Sequence, residues 1–559
     1  MKYRILFFTI VLLPVLLLFA SCAKELEFEP TGSVLTPDQL KEAGKLSQDR
    51  ANVIFKGMYG ELKRFNRLGN SPAYAYDFGY SSFALILDHL SDKMWSVDDR
   101  YNWYRSVFKY VALGENSAIT YLLYSSYYAY IAEANKVLNT VSDETDEGKS
   151  FRAQARAFRA FAYLNLIQSY QFTYKGNEQA AGVPIVRENM TRAQQIDNKR
   201  ASVEEVYNYI LEDLNYAKDI LQDSIPKKKS TIGGCAVYGL LARTYLLMQN
   251  WEGAYKAAQK ALEIAGRANI TPLRTAEANR PGFNDIRIHN VIWGIDYTPD
   301  DLVTKSEIMT WESMMCSLKY GQNAPLTYAV RGFILRKVNP DFYETIDPTD
   351  VRKAWFYTPE YDAGLRRFLS DAGATAAELD DQIKLIVEKQ WKGQLYANIK
   401  FAPYQGNPGA RINATDFPLM RVEELYYIQA EAIARDDEAE GIKRLESFIT
   451  SYRQPTYNYE KNQARLGQTT FTQEIYRQRA LEFWGEGITF YDMMRLGLPL
   501  TREGALAKRD PSAGGYPLES RFNIPAGDDK FLFQFPREEI LNNRAVQQNP
   551  VGEQIKDTF

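Results

Sequence analysis

Apolar positions recur every three to four residues along much of this chain, the period that lines one face of an α-helix. From Ser117 to Thr140 they fall at Ile119, Leu122, Leu123, Tyr130, Val137 and Leu138, which predicts a long helix. Ser150–Tyr170 predicts a second, alanine-rich helix with Ala153, Ala157, Phe161 and Leu164 on one face. A third runs from Ser202 to Leu221. Ser202 with Glu205 three residues later reads there as a capping box, each side chain satisfying a backbone N–H at the helix start.

The stretch 235–265 is more specific. Tyr238, Leu241, Ala242 and Tyr245 share one helix face, and Trp251, Ala254, Ala258 and Ala261 share another. Small residues at Ala242 and Ala254 let two antiparallel helices approach closely, a spacing similar to a tetratricopeptide repeat. Leu419–Ile449 predicts another such pair. Between these blocks, 266–415 changes texture: it is rich in Pro, Gly, Asn and Asp, with strand-like pieces such as VIWGIDY at 291–297 and one capped helix near Thr375. The fold expected is mainly α, tetratricopeptide-like hairpins forming a scaffold for a loop-rich insertion with a few short strands. Loops carried on a rigid scaffold are the usual place for binding groups.

The amino terminus breaks the helical pattern differently. Lys2 and Arg4 precede an apolar run from Ile5 to Ala20, which is too short to span a membrane and is interrupted by Pro14. This predicts a secretory signal over 1–21. Cys22 at the exit resembles a lipobox, whose thiol is acylated to become the new N-terminus. Residues 22–45 then read as a lipid anchor and tether, 46–265 as the first part of the scaffold, 266–415 as the insertion and 416–559 as the second part.

Composition removes several functions. The 559 residues carry 67 basic and 70 acidic side chains, a net charge of −3, with no basic run longer than Lys227-Lys228-Lys229. Nucleic-acid binding, which needs clustered cations to displace counterions, is not expected. Beyond Cys22 only Cys235 and Cys316 remain, and His89 and His289 are the only histidines. A structural zinc site, a multi-histidine metal centre or any other cofactor is therefore not expected. The 38 tyrosines, 29 phenylalanines and 8 tryptophans raise the odds of an aromatic ligand surface.

Several segments resemble the SusD/RagB family of surface lipoproteins. They are RAQARAFRAFAYLNLIQSY with GVPIV at 182–186, SVEEVYNYILEDLNYAKDIL at 202–221 and GLLARTYLLMQNWEGAYKAA at 239–258. DFPLMRVEELYYIQAEA at 416–432, IYRQRALEFWGEGITFYDMMRLG at 475–497 and FQFPREEILNNRAVQQNP at 533–550 follow in the family's order. The resemblance implies four tetratricopeptide-like hairpins and an irregular ligand region. It further implies an outer-membrane lipoprotein that binds nutrient, usually an oligosaccharide, beside a TonB-dependent transporter of the SusC type. Glu25, Glu27 and Glu29 resemble the signal that sends such lipoproteins to the outer face.

Arg477, Arg479, Glu482 and Glu486 stand three to four apart, as do Asp492 and Arg495. Paired carboxylates invite a glycosidase reading, but opposite charges at these spacings form ion pairs cheaply, so the expectation is a structural network and no enzyme. The ligand candidates are Trp95, Tyr101 and Trp103, in a polar stretch with Asp92, Asp98, Asp99 and Asn102. Trp311 and Tyr320 join them from the insertion. Flat apolar faces with short polar neighbours suit a sugar ring. A peptide ligand, as in the RagB branch, is the alternative, and a surface glycoside hydrolase is a third.

Overall fold

In a computed structural model, residues 48–96, 103–319, 327–331, 334–506 and 516–552 are described. Cys22, Tyr101 and Tyr320 lie outside them. The scaffold helices are α1 (Gln48–Gly60), α2 (Tyr80–Leu90), α3 (Ala118–Thr140), α4 (Asp146–Tyr170), α5 (Val203–Leu221), α6 (Gly234–Leu247) and α7 (Trp251–Arg267). They continue as α8 (Val422–Ile433), α9 (Glu438–Tyr452), α10 (Phe471–Glu482) and α11 (Thr489–Arg495).

Each of α3 to α8 packs on the next, and α1 packs on α3. The result is a helical stack in which neighbours bury each other's apolar stripes. Ser117 caps α3 and Thr145 caps α4, which starts at Asp146, four residues ahead of the predicted Ser150. Ser202 and Glu205 form the predicted capping box on α5. Ala242, Ala254, Ala258 and Ala261 are fully buried where α6 meets α7. The approach is close: a Cβ on Gly253 of α7 would stand 3.0 Å from the ring of Tyr245 on α6.

After Arg267 the chain leaves the stack, and α8 then packs on α7 as though nothing intervened. The two ends of the excursion are tied by strands: β2 (Val291–Ile295) pairs antiparallel with β6 (Phe417–Arg421). The pair Leu419–Ile449 therefore begins as a strand, with helix only from Val422. Three strands of the excursion, β3 (Lys337–Val338), β4 (Phe356–Tyr357) and β5 (Ala397–Asn398), form a sheet with β1 (Met94–Trp95) from the first part of the chain, in the order β1-β3-β5-β4. The helix near Thr375 is a single α segment, Leu379–Lys384, continuing as a π-helical turn over Leu385–Gln390. A second core, around Leu318, Leu365, Phe368, Leu369, Trp391 and Ile399, belongs to the insertion alone. No described helix is long and apolar enough to cross a membrane.

Candidate functional site: a surface aromatic cluster

The segment that carries Trp95 and Trp103 meets the insertion at β3. β1 pairs with β3 in register Met94 to Val338 and Trp95 to Lys337. The Arg336 guanidinium lies 4.9 Å from the ring of Tyr104 and 5.8 Å from that of Tyr328. What meets there is packed interior. Trp95 is fully buried, its indole N–H donating to Val338 O at 3.3 Å and its ring tilted against Tyr516 at 5.6 Å.

The expectation of an exposed Trp95 came from its polar neighbours, of which Asp92 is among the described residues and is satisfied internally. Asp92 is itself buried; it pairs with Lys93 at 2.8 Å, and its carbonyl accepts from Asn339 and Tyr516. Trp311 is corrected in the same way. It is 2% exposed, edge-on to Phe401 and Phe417. The adjacent Glu312 is closed on Lys319 at 2.7 Å, with both side chains inaccessible.

Trp103 is different. It is half-buried and stands edge-on to Tyr74 and Tyr76, with ring centroids 5.9 and 6.0 Å away. Tyr74 and Tyr76 stack on each other at 5.2 Å. The loop that carries the tyrosines is pinned by Asp77. Its carboxylate accepts from Leu68 N at 2.8 Å, and its carbonyl accepts from Asn66 N. Burial pushes the Asp77 carboxyl up, and the amides it accepts pull the other way. At the base of the loop Gly79 has φ 86°, and a Cβ there would stand 2.5 Å from Leu62 O. Only glycine fits both demands. Tyr76 is itself buried and backs the other two, so the half-buried rings of Tyr74, on the fixed loop, and Trp103, beside it, are the ones that can receive the apolar face of a ligand ring. Tyr74 and Tyr76 were missed in the sequence. Their signal was the tandem AYAY between Pro72 and Asp77, a turn-rich context with alternating aromatics.

The charged signature helix is structural, but its partners are mostly distant. Arg477 pairs with Glu474 three residues away, whereas Arg479 reaches Asp492 on α11. Glu482 takes Arg453 at 2.8 and 2.9 Å, Arg421 at 3.1 Å and Arg352 at 3.3 Å. Glu486 takes Lys400 at 2.6 Å and Arg421 at 2.9 Å. Burial alone would raise Glu482, but Arg453, Arg421 and Arg352 overcome it and hold the carboxyl well below the usual range. A glycosidase acid needs the opposite shift and an open bond to protonate. The histidines are held in the fold: His89 is buried with Nδ1 2.6 Å from Leu85 O, and His289 lies against Thr271 and Glu277. Cys235 and Cys316 are free and buried.

Comparison with known proteins agrees with this architecture. Residues 73–246 match the model of SusD-like proteins described as "Starch-binding associating with outer membrane", and 372–551 match the model of the SusD family. SusD-like protein P2 of Formosa agariphila is 24% identical over 476 residues, covering 79% of this chain and 82% of that one. Among solved structures, a SusD-like carbohydrate-binding protein from Bacteroides vulgatus superposes with TM-score 0.68 at 21% identity, covering 89% of this chain and 97% of that one. A laminarin-binding SusD-like protein superposes with TM-score 0.60 at 17% identity, covering 90% and 99%. The two family models together span more than half of the chain, in the order its helices predict, and this protein belongs to the SusD/RagB family.

Proposed function

We propose that this protein is a non-catalytic surface lipoprotein that captures nutrient oligosaccharide and passes it to a SusC-type TonB-dependent transporter. Cys22 carries the acyl anchor that holds it at the outer membrane. The observation that carries the reading is the half-buried Trp103 beside half-buried Tyr74, both backed by the buried ring of Tyr76, on a family scaffold. A pyranose needs a flat apolar face for its C–H side, and these rings can supply it. The carbohydrate-binding and laminarin-binding proteins of the same fold support a glycan ligand.

The test is a glycan array run beside a peptide pool on the lipid-free protein, followed by recovery of the bound ligand. A glycan returned intact is the expected result. Trp103→Ala is expected to lower its affinity about 5- to 150-fold, the size of a lost binding hot spot, with little change in melting temperature. Binding of peptides and no glycan would move the protein to the peptide-binding branch. Shortened products that scale with protein would restore the hydrolase reading. Cys22→Ala is expected to shift the protein out of the washed membrane fraction, since stable anchoring rests on multiple acyl chains.

A further inference from the structure

Bordered by the α5–α6 loop and the insertion is a cleft of about 880 Å³, inside the roughly 300–1,000 Å³ range of sites that enclose small ligands. None of Tyr74, Tyr76 and Trp103 lines it. Its buried lining is apolar and aromatic, with Ile286, Tyr297, Ala402 and Ala414, and half-buried Tyr404 adds a further ring. Its basic lining is Lys227-Lys228-Lys229, the run that nothing in the scaffold or the aromatic cluster uses. A second cavity of about 290 Å³ shares Lys227, Lys229 and Arg287 with the first, so the same cations border both.

The sign of the free charge follows from which groups are already engaged. Asp285 is closed on Arg287, whose Nε lies 2.9 and 3.0 Å from the two carboxylate oxygens. Asp416 spends its oxygens on the amides of Ile286 and Tyr297, at 3.0 and 2.8 Å. Asp296 accepts from Ser230 at 3.2 Å and stands 3.9 Å from the Lys63 amine. Lys229 donates to Ile288 O at 2.8 Å. Lys227 and Lys228 are exposed, and among the described residues neither forms an ion pair. Hydrogen bonds to amides and a hydroxyl leave Asp416 and Asp296 charged, but the lining cations Lys227, Lys228, Lys229 and Arg287 outnumber the lining carboxylates Asp285, Asp296 and Asp416. Two of those cations, Lys227 and Lys228, have no carboxylate partner among the described residues.

We propose that this cleft is a second glycan site, one that takes a glycan bearing anionic carboxylate or sulfate groups. Lys227 and Lys228 receive the charged substituents, and Tyr404 with the apolar lining receives a sugar face. Exposed ammonium groups are screened by salt, so their contribution to binding weakens as ionic strength rises. The site takes its ligand class from the glycan-binding reading, but it sits on different residues and fails separately.

The test uses the lipid-free mature chain and three probes of matched length: dextran, dextran sulfate and an oligogalacturonide. At least one anionic probe is expected to bind about tenfold more tightly than dextran in 50 mM salt, with the advantage shrinking at 500 mM. Which of the two it is names the substituent. Lys227→Gln with Lys228→Gln is expected to remove most of that advantage while leaving the melting temperature and any dextran binding unchanged. Trp103→Ala is expected to spare it. Anionic probes that bind no better than dextran would overturn the proposal, and so would undiminished binding by the double lysine variant. If Trp103→Ala alone abolishes all binding, the aromatic cluster stands and the cationic cleft falls.

Discussion

The helical stack and the insertion are built on opposite plans. In the stack, alanine and leucine stripes close α3 on α4 and α6 on α7, and buried charge appears as a local pair, Arg159 of α4 with Asp213 of α5. In the insertion, short strands and a small core of its own are fixed to the stack by buried charge. Arg352 and Lys400 come from the insertion, Arg421 from its closing strand, and Arg453 from the end of α9. With Asp350, Glu423, Glu482 and Glu486, four cations face four carboxylates out of water. Apolar packing tolerates local change, because area is lost in proportion to what is removed. A buried ion network does not, because each deleted partner leaves an uncompensated charge in low dielectric. The binding region is thus held by the less forgiving of the two devices.

The largest effect expected follows directly. Glu482→Gln leaves Arg352, Arg421 and Arg453 short of one carboxylate, and should cost about 5 kcal/mol in denaturant unfolding, the upper end for a broken buried pair. The same junction sets acid sensitivity. Glu482, Glu486 and Asp492 have folded pKa values held below the ordinary range by their cations, against a burial effect that alone would raise them. Stability from such groups is complete above the unfolded carboxylate range, near about 4, and is lost as pH falls through their lower folded values. An acid titration of stability should therefore be much shallower in the Gln variant. An equally steep titration would show that the insertion is not held this way.

Trp95 sharpens the comparison next. As a residue of the insertion's sheet it is fully buried, so Trp95→Ala should open a cavity and cost about 3–4 kcal/mol. A variant that keeps its melting temperature and loses only ligand affinity would mean that the ring faces solvent in the working protein.

How far the sequence reached differs along the same divide. The stack was legible because a 3.6-residue period, the Ser202–Glu205 box and the small residues of 235–265 act locally, within one or two turns. The insertion was legible only as texture. Its polar neighbours of Trp95 and Trp311 look like surface in one dimension, yet Asp92 and Glu312 find partners next door or hundreds of residues away and carry the aromatics inside. Arg479 likewise takes Asp492, beyond the reach of any i, i+4 rule. Of the ligand candidates, Trp103 alone is a half-buried ring among the described residues, and its neighbours Tyr74 and Tyr76 come from a loop that was not considered.

Lys337 offers a smaller effect with the opposite sign. It is buried beside Trp95, 4.5 Å from the ring, and among the described residues its amine has no hydrogen-bond partner. Burial lowers its pKa from 10.5 to about 7. Between those values the unfolded chain binds the extra proton, so stability should rise with pH across that window. Contact with the indole face offsets part of the cost. Lys337→Met should therefore stabilise by about 2 kcal/mol near neutral pH and flatten the slope above it. A loss of stability would show that the ammonium is better satisfied than its surroundings allow.

The smallest effect lies in the stack. From sequence, Trp251 reads as filling the core of the α6–α7 hairpin, and removing it would then cost as much as removing Trp95. It is instead half-buried at the first position of α7, where Asn250 caps the helix by accepting from Gly253 N at 2.9 Å. One face of the ring is covered by the Arg435 guanidinium, 4.8 Å away, from the turn between α8 and α9. The buried interior of the hairpin is filled by Ala254, Ala258 and Ala261, which the substitution does not touch. Trp251→Ala should thus cost only about 1 kcal/mol, and a double-mutant cycle with Arg435→Ala should return a coupling of about 0.5–1 kcal/mol, the size of an exposed cation–π contact. A cost of 3 kcal/mol or more would place the indole in the hairpin core. It would also remove the contrast between a stack that absorbs substitutions at its edge and an insertion that does not.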